Sequence, residues 1–349
     1  MFFERRLPKR DFYCGLVGCG DFARRAYVPA LNEADIPVAI SGLYSRSVKS
    51  ARDLGKLMYY KPKIYPSYDK LASSGIRAVI ITAPNHLHYL YVTESLNRNL
   101  DVFCEKPVAN SLDEALRIQS ILKDSGNILM VGFNRRYLDR IQKLKSIIQK
   151  GTLGKIEEAS ITHRQNTGDR ILGSDWLSDK DNSGGGILFH VGIHLINMMI
   201  YMFGEVDSVI AELKNRKMPM RFGEDTAYCE LFFKTGVRGS IKASLVEDVI
   251  FSQEDVIIRG DKAAVTSNMT ESDIVLKDHQ NGDRGIPCKK EHITESIYNE
   301  LSYFYDCVKH RRRPDTDIDD SIETMRILKA AYLSAAEKRK VTIAEVKKK

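Results

Sequence analysis

The chain has a single tryptophan in 349 residues, and its six cysteines contain no C-x-x-C pair. Cys14, Cys19, Cys104, Cys229, Cys288 and Cys307 lie mostly inside apolar segments, which argues against a zinc ribbon or a disulfide framework and for reduced core thiols. Long apolar runs are lacking too. The most hydrophobic longer stretch, 187–203, is interrupted by His190, His194 and Asn197, groups that are costly in lipid, so it reads as a buried helix and no membrane contact is expected. Nor is there a block of one charge: 53 basic and 46 acidic residues leave +7, and the two ends supply all of it, +3 over residues 1–10 and +4 over 337–349. The body between them is formally neutral, and its basic run at 309–313 is answered by Asp315, Asp317, Asp319 and Asp320. No sustained basic face exists for nucleic acid, and none is expected to bind. No apolar stretch follows the basic start before Asp11, so the expected location is the cytoplasm.

What is present is an ordinary globular composition, 43% hydrophobic and 28% charged, long enough for about two domains of roughly 150 residues. From Asp11 to about Phe133, short β-branched runs at 12–17, 38–44, 78–82, 101–104 and 128–133 alternate with helical patterns. That rhythm implies crossover units on a parallel sheet. The helix before the last of these strands opens with a capping box at Ser111 and Glu114 and ends near Gly126. After Lys150 the rhythm changes. Strands at 155–164, 225–233, 238–245 and 255–259 follow one another with turns between, broken by one long helix at 187–201, the pattern of an α+β domain on a largely antiparallel sheet.

Three segments carry chemistry. The first strand runs into Gly18-Cys19-Gly20-Asp21-Phe22-Ala23, a G-x-G-x-x-A turn before a helix. There Gly18 permits a tight turn, Gly20 lets backbone approach a pyrophosphate, and Ala23 allows close packing, so phosphate oxygens can meet the helix start. The next strand ends in Ser45-Arg46 where an NAD-type site usually offers an acid, which favours NADP while leaving NAD possible if Arg46 only stacks on adenine. Two loops follow at strand ends: Thr82-Ala83-Pro84-Asn85-His86-Leu87-His88, and Glu105-Lys106-Pro107. A partly desolvated Lys106 there would have a lowered pKa and could stabilise a developing alkoxide; the alternative is a surface ion pair with Glu105. In the third segment, Gly184-Gly185-Gly186 opens a helix whose His190 and His194 are four residues apart and share a face. Without H-E-x-x-H or an evident third ligand, no metal is expected.

Together these segments resemble the Gfo/Idh/MocA family of NAD(P)-dependent sugar and cyclitol oxidoreductases. The resemblance also includes residues 131–137 and Glu224-Asp225-Thr226, and spans nearly the whole chain. It implies a Rossmann domain at 11–133, an α+β substrate and oligomerisation domain at 134–310, a C-terminal helix at 311–336 that packs back on the first domain, and basic tails at 1–10 and 337–349. It implies cofactor contacts from Gly18, Cys19, Gly20, Asp21, Phe22, Ser45, Arg46, Thr82, Pro84, Asn85, His88, Glu105 and Lys106. Substrate contacts are expected from Asn134, Arg135, Trp176, His190 and His194, with Lys106, His194 and His190 catalytic. The implied partner is a sugar-like small molecule, and the implied assembly a homodimer or homotetramer. One position departs from the family pattern: His190 stands where D-x-x-x-H places its Asp. That leaves open a second reading, a cofactor-binding but catalytically inactive sugar-sensing regulator.

Overall fold

The computed structural model describes residues 9–168, 171, 173–174, 176–268, 273–278, 280 and 282–347. The chain forms two compact units, one from residues 1–137 and 291–322 and the other from 138–290 and 323–349.

In the first unit, β1 (Cys14–Val17), β2 (Ile40–Tyr44), β3 (Lys63–Ile64), β4 (Ala78–Ile81), β5 (Asp101–Glu105) and β6 (Leu129–Gly132) make one parallel sheet in the order β3-β2-β1-β4-β5-β6. β1, β4, β5 and β6 are buried along their whole length, as expected of strands covered on both faces. Serines set the connecting helices: Ser47 caps Val48–Gly55, Ser67 caps Tyr68–Ala72, and Ser111 with Glu114 forms the expected capping box of Leu112–Ser125, which closes on Gly126 at φ 65°.

The core of this unit corrects the expected boundary. The helix Ile293–His310, expected in the second domain, sends Ile297, Leu301, Phe304, Cys307 and Val308 into the cluster of Leu16, Tyr27, Phe103 and Met130. The sheet's face needs that apolar cover, and each fully buried side chain of this size is worth about 1.5 to 3 kcal/mol.

The second unit carries a nine-stranded sheet. Its strands are β7 (Ile156–Arg164), β8 (Val206–Lys214), β9 (Thr226–Phe233), β10 (Arg238–Ser244), β11 (Gln253–Gly260), β12 (Ala263–Asn268), β13 (Asp273–Asp278), β14 (Gly282–Pro287) and β15 (Val341–Thr342), in the order β14-β13-β12-β11-β7-β10-β9-β8-β15. All neighbours are antiparallel except β7 and β10. Burial alternates along β7, β9 and β11, so one face is packed and the other is not.

The apolar stretch at 187–203 covers the packed face. A helical stretch, Lys180–Phe203, has the length and mean hydropathy of a membrane span, but 72% of its apolar window is buried inside the protein. It is not one regular helix: residues Leu188–Gly192 form a wider π turn before the α-helix Ile193–Phe203. The helix Ile318–Glu337 was expected on the first domain, but from Glu323 onward it belongs to the second unit. Asn197 donates to Thr324 Oγ1 at 3.0 Å, Tyr332 to Glu224 at 2.8 Å, and the Ala211 N–H to Ser334 Oγ at 2.9 Å. All six cysteines are free thiols, five of them buried.

Candidate functional site

At the carboxyl end of β1 the chain turns at Gly18, whose φ is +97° and whose missing Cβ would lie 2.5 Å from the Ala83 nitrogen. Only glycine fits. The turn is tied down on both sides: the Gly18 N–H donates to Tyr44 O at 2.9 Å, and the Thr82 hydroxyl donates to Gly18 O at 2.6 Å. Gly20 behaves differently, since a Cβ there would meet nothing within 4 Å. It is exposed at the helix start, and the open space over it is where a dinucleotide's phosphates would lie against backbone. Asp21 pairs with Arg25 at 2.9 Å, and that guanidinium lies over the Phe22 ring. Cys19 is 1% exposed with its thiol held inside, so only its backbone can serve a ligand. Ser45 is half-buried and Arg46 exposed just beyond β2, at the same sheet edge.

Two side chains expected to touch the cofactor point inward. His88 is 1% exposed, with Nδ1 2.6 Å from Pro107 O and Nε2 2.8 Å from Ala83 O, so it ties the Pro84-Asn85 loop to the Glu105-Lys106-Pro107 loop. Burial lowers its pKa. Glu105 is buried as well, which removes the surface ion-pair alternative. Its carboxylate accepts from the Tyr27 hydroxyl at 2.5 Å and from the Lys106 N–H at 3.1 Å. Burial pushes the Glu105 pKa up, against the pull of Tyr27 and Lys106. The network fixes the backbone at Lys106, whose own side chain is half-buried. Burial lowers its pKa to about 8, Glu105 opposes the shift, and the Arg135 guanidinium adds to it.

Tyr27 and Glu300 escaped the sequence reading. Glu300, on the Ile293–His310 helix, is fully buried, and neither carboxylate oxygen has a hydrogen-bond partner among the described residues. Burial, and secondarily Glu105, raises its pKa well above the usual carboxylate range. Of the expected substrate contacts, Asn134 and Arg135 fall in the first unit, where Asn134 donates to Ser296 Oγ at 2.8 Å.

The second unit holds the histidine pair and the half-buried Trp176. The third glycine of the opening is obligatory, because a Cβ on Gly186 would sit 2.1 Å from Glu224 O. Glu224 caps this helix twice: its carbonyl accepts from Ile187 N–H at 2.8 Å and its Oε1 from Leu188 N–H at 3.0 Å. His190 and His194 are both half-buried. His190 stacks on Phe222, with ring centroids 5.7 Å apart and planes 21° from parallel. A further imidazole, the buried His163 on β7, sits with Nδ1 2.9 Å from Glu254 Oε2. Neither Phe222 nor the His163 pair announces itself locally; each depends on partners 30 or more residues away. Among the described residues no group of three or more His, Cys, Asp or Glu could hold a metal ion.

Residues 12–133 match the oxidoreductase-family model for an NAD-binding Rossmann fold, and residues 145–343 match the model of the same family's C-terminal alpha/beta domain. The myo-inositol 2-dehydrogenase of Thermotoga maritima is 29% identical over 286 residues, covering 80% of this chain and 83% of that one. The scyllo-inositol 2-dehydrogenase (NAD(+)) of Bacillus subtilis is 26% identical over 314 residues, 88% and 89% of the two chains. In fold, the chain is similar to a levoglucosan dehydrogenase solved with NADH and levoglucosan, with a TM-score of 0.87, 20% identity, and coverage of 95% and 99%. With both domain models matched in order along one chain, this protein belongs to the Gfo/Idh/MocA family of oxidoreductases.

Proposed function

We propose that the protein transfers hydride between a nicotinamide cofactor, NADP in preference to NAD, and a secondary hydroxyl or carbonyl of a sugar, nucleotide sugar or cyclitol. The observation that carries this reading is Lys106, a lysine with its pKa near 8, held by the buried Glu105 at the sheet edge where Gly18 and Gly20 form a dinucleotide cradle. The cofactor, when bound, supplies the hydride acceptor or donor at C4 of its nicotinamide. Gly18 to Phe22 would hold its phosphates by backbone, with Thr82, Pro84 and Asn85 lining the same edge. In the oxidation direction His194 takes the hydroxyl proton, the Lys106 ammonium stabilises the oxygen as charge develops, and His190 orients His194 or the substrate. Arg135 and Trp176 are further substrate contacts in this reading. The inositol dehydrogenase relatives support a polyol substrate, the six free thiols fit the reducing surroundings of a cytoplasm, and a homo-oligomer belongs to the same reading.

Ser45 and Arg46 supply the cofactor preference. A charge-assisted hydrogen bond to a 2′-phosphate is worth about 1.5 to 3 kcal/mol, roughly a tenfold to hundredfold preference. Titration of wild type and Arg46→Ala with NADPH and NADH tests it. Wild type is expected to favour NADPH by that ratio and Arg46→Ala to lose it; equal wild-type affinities contradict the assignment. The regulator reading rests on His190 in place of the family's Asp. A screen of sugars and cyclitols by absorbance of the reduced cofactor separates the two, since a regulator binds without turnover.

A further inference from the structure

In the Glu224-Asp225-Thr226 segment, Glu224 caps the histidine helix. Asp225 does something different. Its Oδ2 accepts three consecutive backbone N–H groups, from Arg216 at 2.8 Å, Lys217 at 2.7 Å and Met218 at 2.9 Å, while Oδ1 accepts from the Thr226 hydroxyl at 2.9 Å. Three amide donors converging on one carboxylate oxygen hold its pKa below the usual carboxylate range despite burial. The loop so anchored is the connection from β8 to β9, and its tip carries Phe222. The Asn215 side chain also binds Gly223 O, and Lys217 Nζ reaches Val246 O at 3.1 Å. Phe222 is fully buried, and its ring is the one stacked on His190.

We propose that Phe222, held by the Asp225 cradle, is a positioning residue for His190: it fixes the orientation of the imidazole that stands where the family carries an aspartate. An aspartate is short, and its carboxylate plane is set by the same two side-chain torsions as an imidazole ring. An imidazole there is longer, and a parallel aromatic neighbour restricts the tilt of its plane, which a merely apolar neighbour would not. Phe222 is thus the counterpart, in this chain, of the histidine substitution. It rests on the proposed role of the histidine pair in proton transfer, but the ring geometry is measurable without turnover.

The test uses the full-length protein with ¹³C-labelled histidine, comparing the wild type with Phe222→Leu, Phe222→Tyr and Asp225→Ala. The His190 signal is identified by its loss in His190→Gln. In the wild type it carries the ring-current shift of an aromatic face. Phe222→Leu and Asp225→Ala are expected to move it toward the position of an unstacked histidine, and Phe222→Tyr to retain it. In turnover, Phe222→Leu is expected to lower kcat roughly tenfold to a hundredfold with KM changed less, the pattern of a misplaced reacting group. A His190 signal unmoved by Phe222→Leu or by Asp225→Ala overturns the proposal, as does a Phe222→Leu kcat within twofold of wild type. Should the shifts follow expectation while the wild type turns over no substrate, the stack stands and it is the oxidoreductase reading that fails.

Discussion

Lys106 shows at the scale of one residue how burial converts a motif into chemistry. Its position in E-K-P was legible from sequence. Its environment was not, because Tyr27 lies 78 residues before Glu105 in the chain and no local pattern announces their hydrogen bond. The direction of the pKa shift fixes a pH dependence. The folded pKa of about 8 lies below the ordinary 10.5, so between those values the unfolded chain binds the extra proton and stability rises with pH. Below about 8 the buried ammonium costs stability, so Lys106→Met is expected to raise Tm at pH 7 and to lose that gain above pH 10.5. Activity in the oxidation direction should fall above about pH 8 as the ammonium is lost. Glu300 follows the opposite sign. Its folded pKa is raised, so its cost is absent below the unfolded value near 4.5 and grows as pH rises above it. Thermal unfolding of Glu300→Gln is expected to match wild type near pH 4 and to exceed it increasingly toward pH 8; equal melting at both would mean that Glu300 is ionised and paired.

Elements follow the same division between what was local and what was not. β1, β2, β4, β5 and β6 were legible because short continuous apolar runs mark strands covered on both faces, whereas the two-residue β3, Lys63–Ile64, has no such run and was not read. β8, β12, β13, β14 and β15 went unread: β14, Gly282–Pro287, is an edge strand with mostly exposed residues and no apolar alternation to reveal it. The glycine-opened helix was read as one long helix from 187 to 201; the π turn at Leu188–Gly192 was missed because apolar periodicity does not mark it, and the Glu224 that caps the helix start lies 36 residues away in the chain. Two glycines that look alike in sequence therefore predict opposite outcomes. Gly20→Ala should keep the wild-type Tm, since its Cβ meets only open space, yet lose cofactor affinity measurable by titration. Gly186→Ala should lose on the order of 1 to 3 kcal/mol or more of stability, since its Cβ collides with Glu224 backbone. A destabilised Gly20→Ala or an unperturbed Gly186→Ala would show the glycine roles to be reversed.

For the whole molecule, the order of segments along the chain misleads about which segments fold together. The sequence places 291–310 beside the second sheet, and composition offers nothing to contradict it, since an amphipathic helix carries no mark of the core it will join. Its apolar stripe completes the first core instead. A fragment ending at Tyr137 would expose the surface that Ile297, Leu301 and Phe304 cover, and it is expected to unfold without a cooperative transition by circular dichroism, whereas the full chain does so cooperatively. On the proposed function, this chain moves hydride with Lys106 at the reacting oxygen. The most direct measurement is exchange of deuterium between C4-labelled NADPH and the oxidised forms of a panel of sugars and cyclitols, in wild type and Lys106→Met. Stereospecific transfer to a member of the panel is predicted for wild type, with a hundredfold to thousandfold loss in Lys106→Met at unchanged cofactor affinity. Label that stays on the cofactor throughout the panel, or transfer by Lys106→Met within a few fold of wild type, would contradict it.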